Sequence, residues 1–195
     1  MATVREGNKP VLLVVDVQVG VMGDVWDAPR VIGNVAKAVE QARAKGVPVF
    51  WVQHSDKDLV HGSADWQWVP ELKPAKGEIR IDKSFESSFE QTALEPELAR
   101  LGATHISLAG AKSNWCIRAT AYGALERGYD LTLVKDAHTT SSMALSDGLR
   151  IEAQSVVQDL NIAMKWISYP GRSNGTAAAD ELDFSAPGGM RPEAT

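Results

Sequence analysis

The one cysteine among the 195 residues, Cys116, lies inside residues 110–123, GAKSNWCIRATAYG. An apolar run, Ile106, Ser107, Leu108 and Ala109, ends at Gly110. A short polar loop follows, and the small residues Ala119, Ala121 and Ala124 then open a new pattern. That order reads as a buried parallel strand, a tight turn and a helix packed closely on the sheet. At such a junction the free N–H groups and the helix dipole favour an anion, so the expectation is a thiol that ionises more readily than in bulk water. A thiolate is a nucleophile, whereas the commoner fate of a lone cysteine is to be a small buried hydrophobe. Two more residues bear on that choice. Asp16 closes the apolar run from Val11 to Val15, and Lys83 follows the alternating segment 78–82, EIRID. Alone, the first is as readily a turn residue and the second a solvated surface charge.

What would bring them together is the order of elements. Residues 11–15 are a continuous apolar run, the mark of a strand buried on both faces. Val31, Val35, Ala38, Val39 and Ala42 recur at helical spacing before Gly46, and residues 47–52 read as a second strand. Residues 53–77 form a long irregular segment carrying His54, Asp56, Asp58, His61, Asp65, Trp66 and Trp68; a loop of that length with so much Trp reads as functional rather than disordered. A third strand at 78–82, a short helix near 95–101, a fourth strand at 105–109 and a fifth at 131–134 follow. Leu149, Ala153, Val156, Val157, Leu160, Met164 and Ile167 then trace the longest helical pattern, and residues 178–184 suggest a last edge strand. Strands alternating with helices predict an α/β fold: a doubly wound parallel sheet of about six strands, order 3-2-1-4-5-6, with helices on both faces. One domain over 1–195 is expected, with 185–195 a Pro- and Gly-containing tail. In that order Asp16, Lys83 and Cys116 all reach the C-terminal edge of the sheet, where open α/β sheets bind ligands.

Composition narrows the function. A formal net charge of -5 and a pI near 5.4 argue against a nucleic-acid surface. No stretch is apolar enough for a signal peptide or a membrane span, and a single cysteine suits the reducing cytoplasm. The turn after strand one, DVQVGVMG, is not a dinucleotide-binding loop, and no Walker motif is present. The spacing of His54 and His61 matches no strong zinc pattern, so neither metal nor cofactor is expected. Of six tryptophans, Trp26, Trp66, Trp68 and Trp115 fall beside predicted loops and suit a pocket or a subunit contact; Trp51 and Trp166 suit core filling.

The segments LLVVDVQ, DKSFESSF with a following Thr92, AGAKSNWCIRATAYGA and VKDAHTT occur in that order. Together they resemble the isochorismatase-like cysteine hydrolase superfamily, whose members include nicotinamidases, carbamoylsarcosine amidases and streptothricin hydrolases. The resemblance implies a triad: Cys116 as nucleophile, Asp16 as proton-accepting base, Lys83 as the cation between them. It also implies a cis peptide at Ala111–Lys112 and an oxyanion site made by the backbone N–H groups of Lys112 and Cys116. The implied activity is hydrolysis of an amide, ureide or lactam C–N bond of a small molecule through a thioester. Two alternatives stay open, a vinyl-ether hydrolase of the isochorismatase type and a catalytically silent binding or scaffold member. Gln18, Trp66, Trp68, Phe89 and Trp115 are the expected pocket residues, and a homodimer or higher homo-oligomer is expected. The sequence departs from the nicotinamidase pattern, with Gln53–His54–Ser55–Asp56 where those enzymes carry metal-binding Asp-x-His, and with Ser113 where threonine is usual.

Overall fold

The computed structural model describes Ala2 and residues 5–184; the expected tail at 185–195 lies outside the described residues. Its central strand, β1 (Lys9–Val15), alternates strictly between two cores. Val11, Leu13 and Val15 face one, and Leu12 and Val14 face the other, all five fully buried. Each such side chain contributes about 1.5–3 kcal/mol by leaving water, which is why an unbroken apolar run here needs helices on both sides.

The chain then forms α1 (Val19–Met22), α2 (Ala28–Ala44), β2 (Val49–His54), β3 (Ile79–Lys83), α3 (Leu94–Leu101) and β4 (Ala103–Ala111). A π-helical turn, Ser113–Ile117, leads into α4 (Arg118–Glu126). β5 (Asp130–Thr139), the hairpin β6 (Met143–Ala144) and β7 (Arg150–Ile151), α5 (Ala153–Trp166) and β8 (Asn174–Ala177) follow, then a 3-10 turn at Ala179–Glu181. The main sheet has six strands in the order β3-β2-β1-β4-β5-β8, every pair parallel. The doubly wound α/β expectation therefore holds. Val31, Val35 and Ala38 of α2 cover the Leu12 face. Leu94 and Leu98 of α3, Ala121 and Leu125 of α4, and Leu160 and Met164 of α5 cover the Leu13 face. Ala121 and Ala124 are fully buried, so small side chains are what let α4 approach the sheet.

One glycine fixes the geometry where β1 meets β4. Gly110, paired with Val15, has φ 128, and a Cβ there would lie 1.9 Å from the Val15 carbonyl oxygen. The strand continues directly into the turn that carries Cys116.

Several sequence expectations move. The edge strand is Asn174–Ala177 rather than 178–184; Leu182 and Phe184 are apolar because they pack in the α2 core, not because they pair in a sheet. The helical pattern begins at Ala153, since Glu152 is extended (φ -77, ψ 135), and Leu149 lies in the hairpin region, 62% exposed. Trp166 ends α5 at 72% exposure and fills no core, unlike Trp51, which is fully buried. β5 runs on to Thr139, past the expected 131–134, and a short helix, α1, follows the turn after β1. Among the described residues no helix is long and apolar enough to cross a membrane.

Candidate active site

Asp16 carries the chain out of β1 in a left-handed conformation, φ 53, with its N–H still bonded to the Val52 carbonyl at 2.9 Å. Lys83 is the last residue of β3, two strands away, and His54 ends the β2 strand between them in register with Lys83. Strands lie about 4.8 Å apart, so β3 and β1 are roughly 10 Å apart. The Lys83 stem and the Asp16 side chain bridge that gap from its two sides. Lys83 Nζ stands 2.7 Å from Asp16 Oδ2, 3.2 Å from Cys116 Sγ and 3.3 Å from His54 Nδ1, and donates to the Phe85 carbonyl at 3.1 Å. Cys116 arrives from the other direction, on the π-helical turn after β4. That turn wraps around the Lys112 carbonyl, which accepts the N–H groups of Trp115 (3.1 Å) and Ile117 (3.2 Å). The Ala111–Lys112 peptide is cis. The three side chains thus meet at the crevice beside the C-terminal ends of β1 and β4.

Asp16 is 1% exposed. Its ion pair with Lys83 is close but not aligned as a hydrogen bond, and neither carboxylate oxygen has an aligned donor. Burial pushes the Asp16 carboxyl up from its ordinary value, while Lys83 pulls against that rise. For Lys83 burial opposes the charge, yet Asp16 and Cys116 outweigh it and hold the ammonium above its ordinary value. The Cys116 thiol is pushed up to about 12, first by burial and then by the negative charge of Asp16; Lys83 does not reverse it. The expectation of an easily ionised thiol is therefore corrected. Cys116 sits within the turn rather than free at a helix start, and a buried carboxylate is its neighbour. The resting site is a carboxylate, an ammonium and a neutral thiol.

The cluster opens into a cavity of about 480 Å³. Asp16 and Cys116 line it with Gly20 and Val21 of α1, His54 of β2, and Asp56, Asp58, Leu59 and Asp65 of the 53–77 loop. Glu86, Lys112 and Trp115 complete the wall. Of the expected pocket residues, Trp115 is on that wall and 53% exposed. The others are not. Gln18 is fully buried and clamps the loop: its amide donates to the carbonyls of His54 (3.0 Å) and Trp66 (2.9 Å) and accepts the His54 N–H (2.9 Å). Trp66 leans on His61, and Trp68 meets Trp51 edge-on at 5.1 Å, its backbone bridged to Gln18. Phe89 is buried in the α3–α4 core, stacked on Tyr129. Aromatic type and loop position suggested a pocket; packing behind the loop is what those rings do.

Sequence reasoning missed a buried network behind Cys116. Asn161 of α5 donates to the Lys135 carbonyl (3.0 Å), so its Oδ1 accepts from His138 Nε2 (3.1 Å) and His138 Nδ1 accepts from Ser113 Oγ (2.8 Å). Through that chain β5 and α5 anchor the first residue of the turn that carries Cys116. No spacing rule announces it, because its members lie 25 and 23 residues apart. His54 and His61, weighed as metal ligands, do not fit one. Both His54 nitrogens are engaged, Nδ1 by Lys83 and Nε2 by Asp56 at 3.1 Å, and His61 packs against Trp66. Among the described residues no group of three or more His, Cys, Asp or Glu is arranged to hold an ion.

The six-stranded doubly wound sheet, at whose crevice Asp16, Lys83 and Cys116 meet, is the fold of a solved isochorismatase. Residues 10–153 match the isochorismatase domain, and the chain belongs to that family. It is 32% identical over 145 residues to a streptothricin hydrolase of Streptomyces noursei, a match that covers 71% of this chain and 57% of that protein. It thus spans little more than half of that relative. To the maleamate amidohydrolase of Pseudomonas putida it is 30% identical over 155 residues, covering 67% of this chain and 72% of the other. Among solved structures, an isochorismatase of Pseudomonas putida matches with a TM-score of 0.80 at 26% identity, covering 90% of this chain and 91% of that one.

Proposed function

We propose that this protein is a cysteine-dependent amidohydrolase, cleaving the C–N bond of a small amide, ureide or lactam through a thioester. The observation that carries the reading is the contact of Lys83 Nζ with both Asp16 Oδ2 (2.7 Å) and Cys116 Sγ (3.2 Å) at the base of a cavity. Structural packing alone would not gather a buried carboxylate, a buried ammonium and a lone thiol, because unpaired or poorly hydrogen-bonded buried charge is costly. Names of relatives such as maleamate amidohydrolase and N-carbamoylsarcosine amidase support the same bond class.

The protonation states set the order of events. The neutral thiol loses its proton to Asp16 as Sγ attacks the carbonyl carbon, so thiolate exists only while it is being used. The carbonyl electron pair moves onto oxygen, and the backbone N–H groups of Lys112 and Cys116 are the proposed donors to that oxyanion. Asp16, now protonated, returns the proton to the departing nitrogen as the C–N bond breaks. A water then attacks the thioester, again giving its proton to Asp16, and the C–S bond breaks as Asp16 passes that proton to the sulfur, releasing the acid and restoring thiol and carboxylate. Lys83 keeps Asp16 anionic at the start and stays charged throughout. The same reading assigns the reaction to the cytoplasm, where a lone thiol stays reduced.

The test is release of ammonia or amine across a panel of small amides, ureides and lactams, with Cys116→Ala as the blank. Intact-mass measurement of the quenched wild-type reaction should reveal the acyl adduct on Cys116. Full turnover by Cys116→Ala would sink the mechanism and favour cleavage without the cysteine.

A further inference from the structure

We infer that the substrate of this cavity is a cation, a small amide that also carries a protonated amine or guanidinium group. The inference rests on the hydrolase reading above and adds the charge of the molecule that the site selects. It follows from which charges on the cavity wall have partners.

Five carboxylates line the cavity, Asp16, Asp56, Asp58, Asp65 and Glu86, against one ammonium, Lys112. Lys112 is already neutralised from outside the cavity: its Nζ donates to Asp24 Oδ1 at 2.8 Å and Ser141 Oγ at 2.7 Å. Lys83, beneath the floor, is matched by Asp16. Asp56 Oδ1 accepts the N–H groups of Asp58 and Leu59, and Asp58 holds the exposed Lys57 at 2.7 Å. That leaves Asp65 and Glu86, both exposed, with no cationic partner among the described residues. An excess of carboxylates on low-dielectric walls focuses a negative potential into the space between them.

A second observation ties this charge to a ligand rather than to bulk water alone. The carboxylates share one cavity with the buried Asp16–Lys83–Cys116 cluster, so a molecule whose amide carbonyl reaches Cys116 must also lie beside them. Asp65 is also held in place. Its carbonyl accepts the Gly20 N–H at 2.9 Å, and a Cβ on Gly20 would come within 2.9 Å of the Asp65 Cβ, so glycine lets the loop seat against α1. The half-exposed indole of Trp115 on the wall adds a π face, a surface that favours a cation further. An anionic amide would meet like charge at the entrance.

Three probes of matched length test this: 6-aminohexanamide (cation), hexanamide (neutral) and the monoamide of adipic acid (anion). Steady-state kcat/KM of the full chain should fall in that order. The cation's advantage should shrink with added salt and drop roughly tenfold, mainly through KM, in the Asp65→Asn/Glu86→Gln double variant. A separate arm removes the chemistry. Cys116→Ala protein, titrated by calorimetry, should bind 6-aminohexanamide more tightly than hexanamide, and the double variant should abolish the difference. Equal binding, no binding of the cationic probe, or a preference that survives both substitutions overturns the inference. Failure of the hydrolase reading looks different: selective binding of the cation would persist while no amide in the kinetic arm is turned over.

Discussion

Between turnovers the sulfur of Cys116 is a thiol, because burial and the adjacent Asp16 both oppose a second negative charge there. In the proposed mechanism the group that must be ionised at the start is Asp16, and its carboxyl is raised above the ordinary value by burial. The sign follows directly. Activity is present while Asp16 is a carboxylate and is lost as pH falls through its raised pKa, so the acid limb of kcat/KM should stand above about 3.9, the ordinary aspartate value. No alkaline limb should appear below about pH 10, since the thiol titrates near 12 and Lys83 is also raised. A rate profile from pH 4 to 10 checks both edges; a bell with an alkaline limb near 8 would mean a thiolate formed in advance. The identity of these residues was legible in the sequence, because each ends or follows a strand whose pattern could be read. Their proton inventory was not. It depends on how deeply three side chains from separate strands are buried against one another, which no local spacing encodes.

At the scale of elements, the site is a consequence of how closely β1 and β4 approach. Gly110 allows that approach, and a side chain there would strike the Val15 carbonyl while also having to adopt φ 128. Gly110→Ala should therefore cost more than about 3 kcal/mol, adding steric overlap to the strain of a left-handed alanine. For a domain of this size that corresponds to a Tm about 6–12 °C lower, measurable by calorimetry. A shift under about 2 °C would mean that the strands separate without penalty. The strands themselves were legible because period-2 burial is written into Val11–Val15. The 53–77 loop was legible as an element of interest but not in its facing. Its tryptophans pack inward or against histidine while Asp56, Asp58 and Asp65 turn to the cavity, an outcome set by the Gln18 clamp and the backbone bridge to Trp68. Those are contacts between segments about 50 residues apart, beyond any periodicity.

Across the whole molecule, two histidines are held neutral inside the fold. Burial lowers both His105 and His138 from the ordinary 6.5 to about 4. A depressed histidine contributes stability that is complete above 6.5 and is lost as pH falls, because the unfolded chain binds the proton first. Between pH 6.5 and 5, above most carboxylate titrations, each should cost about 2 kcal/mol. Urea midpoints at pH 7, 6 and 5 measure it, and a flat series would mean that these rings take up protons without unfolding. His138 links this loss to the site, since it holds Ser113 at the start of the Cys116 turn.

The same chain contains no second cysteine. An oxidised Cys116 has no internal thiol to condense with, so a sulfenic acid formed there would progress to irreversible sulfinic acid unless a small thiol from outside intervened. Peroxide attacks thiolate far faster than thiol. Under the proposed mechanism, a sulfur that stays protonated until substrate and Asp16 act on it together would be shielded from oxidants while idle, and its exposure to damage confined to the moments when it is in use.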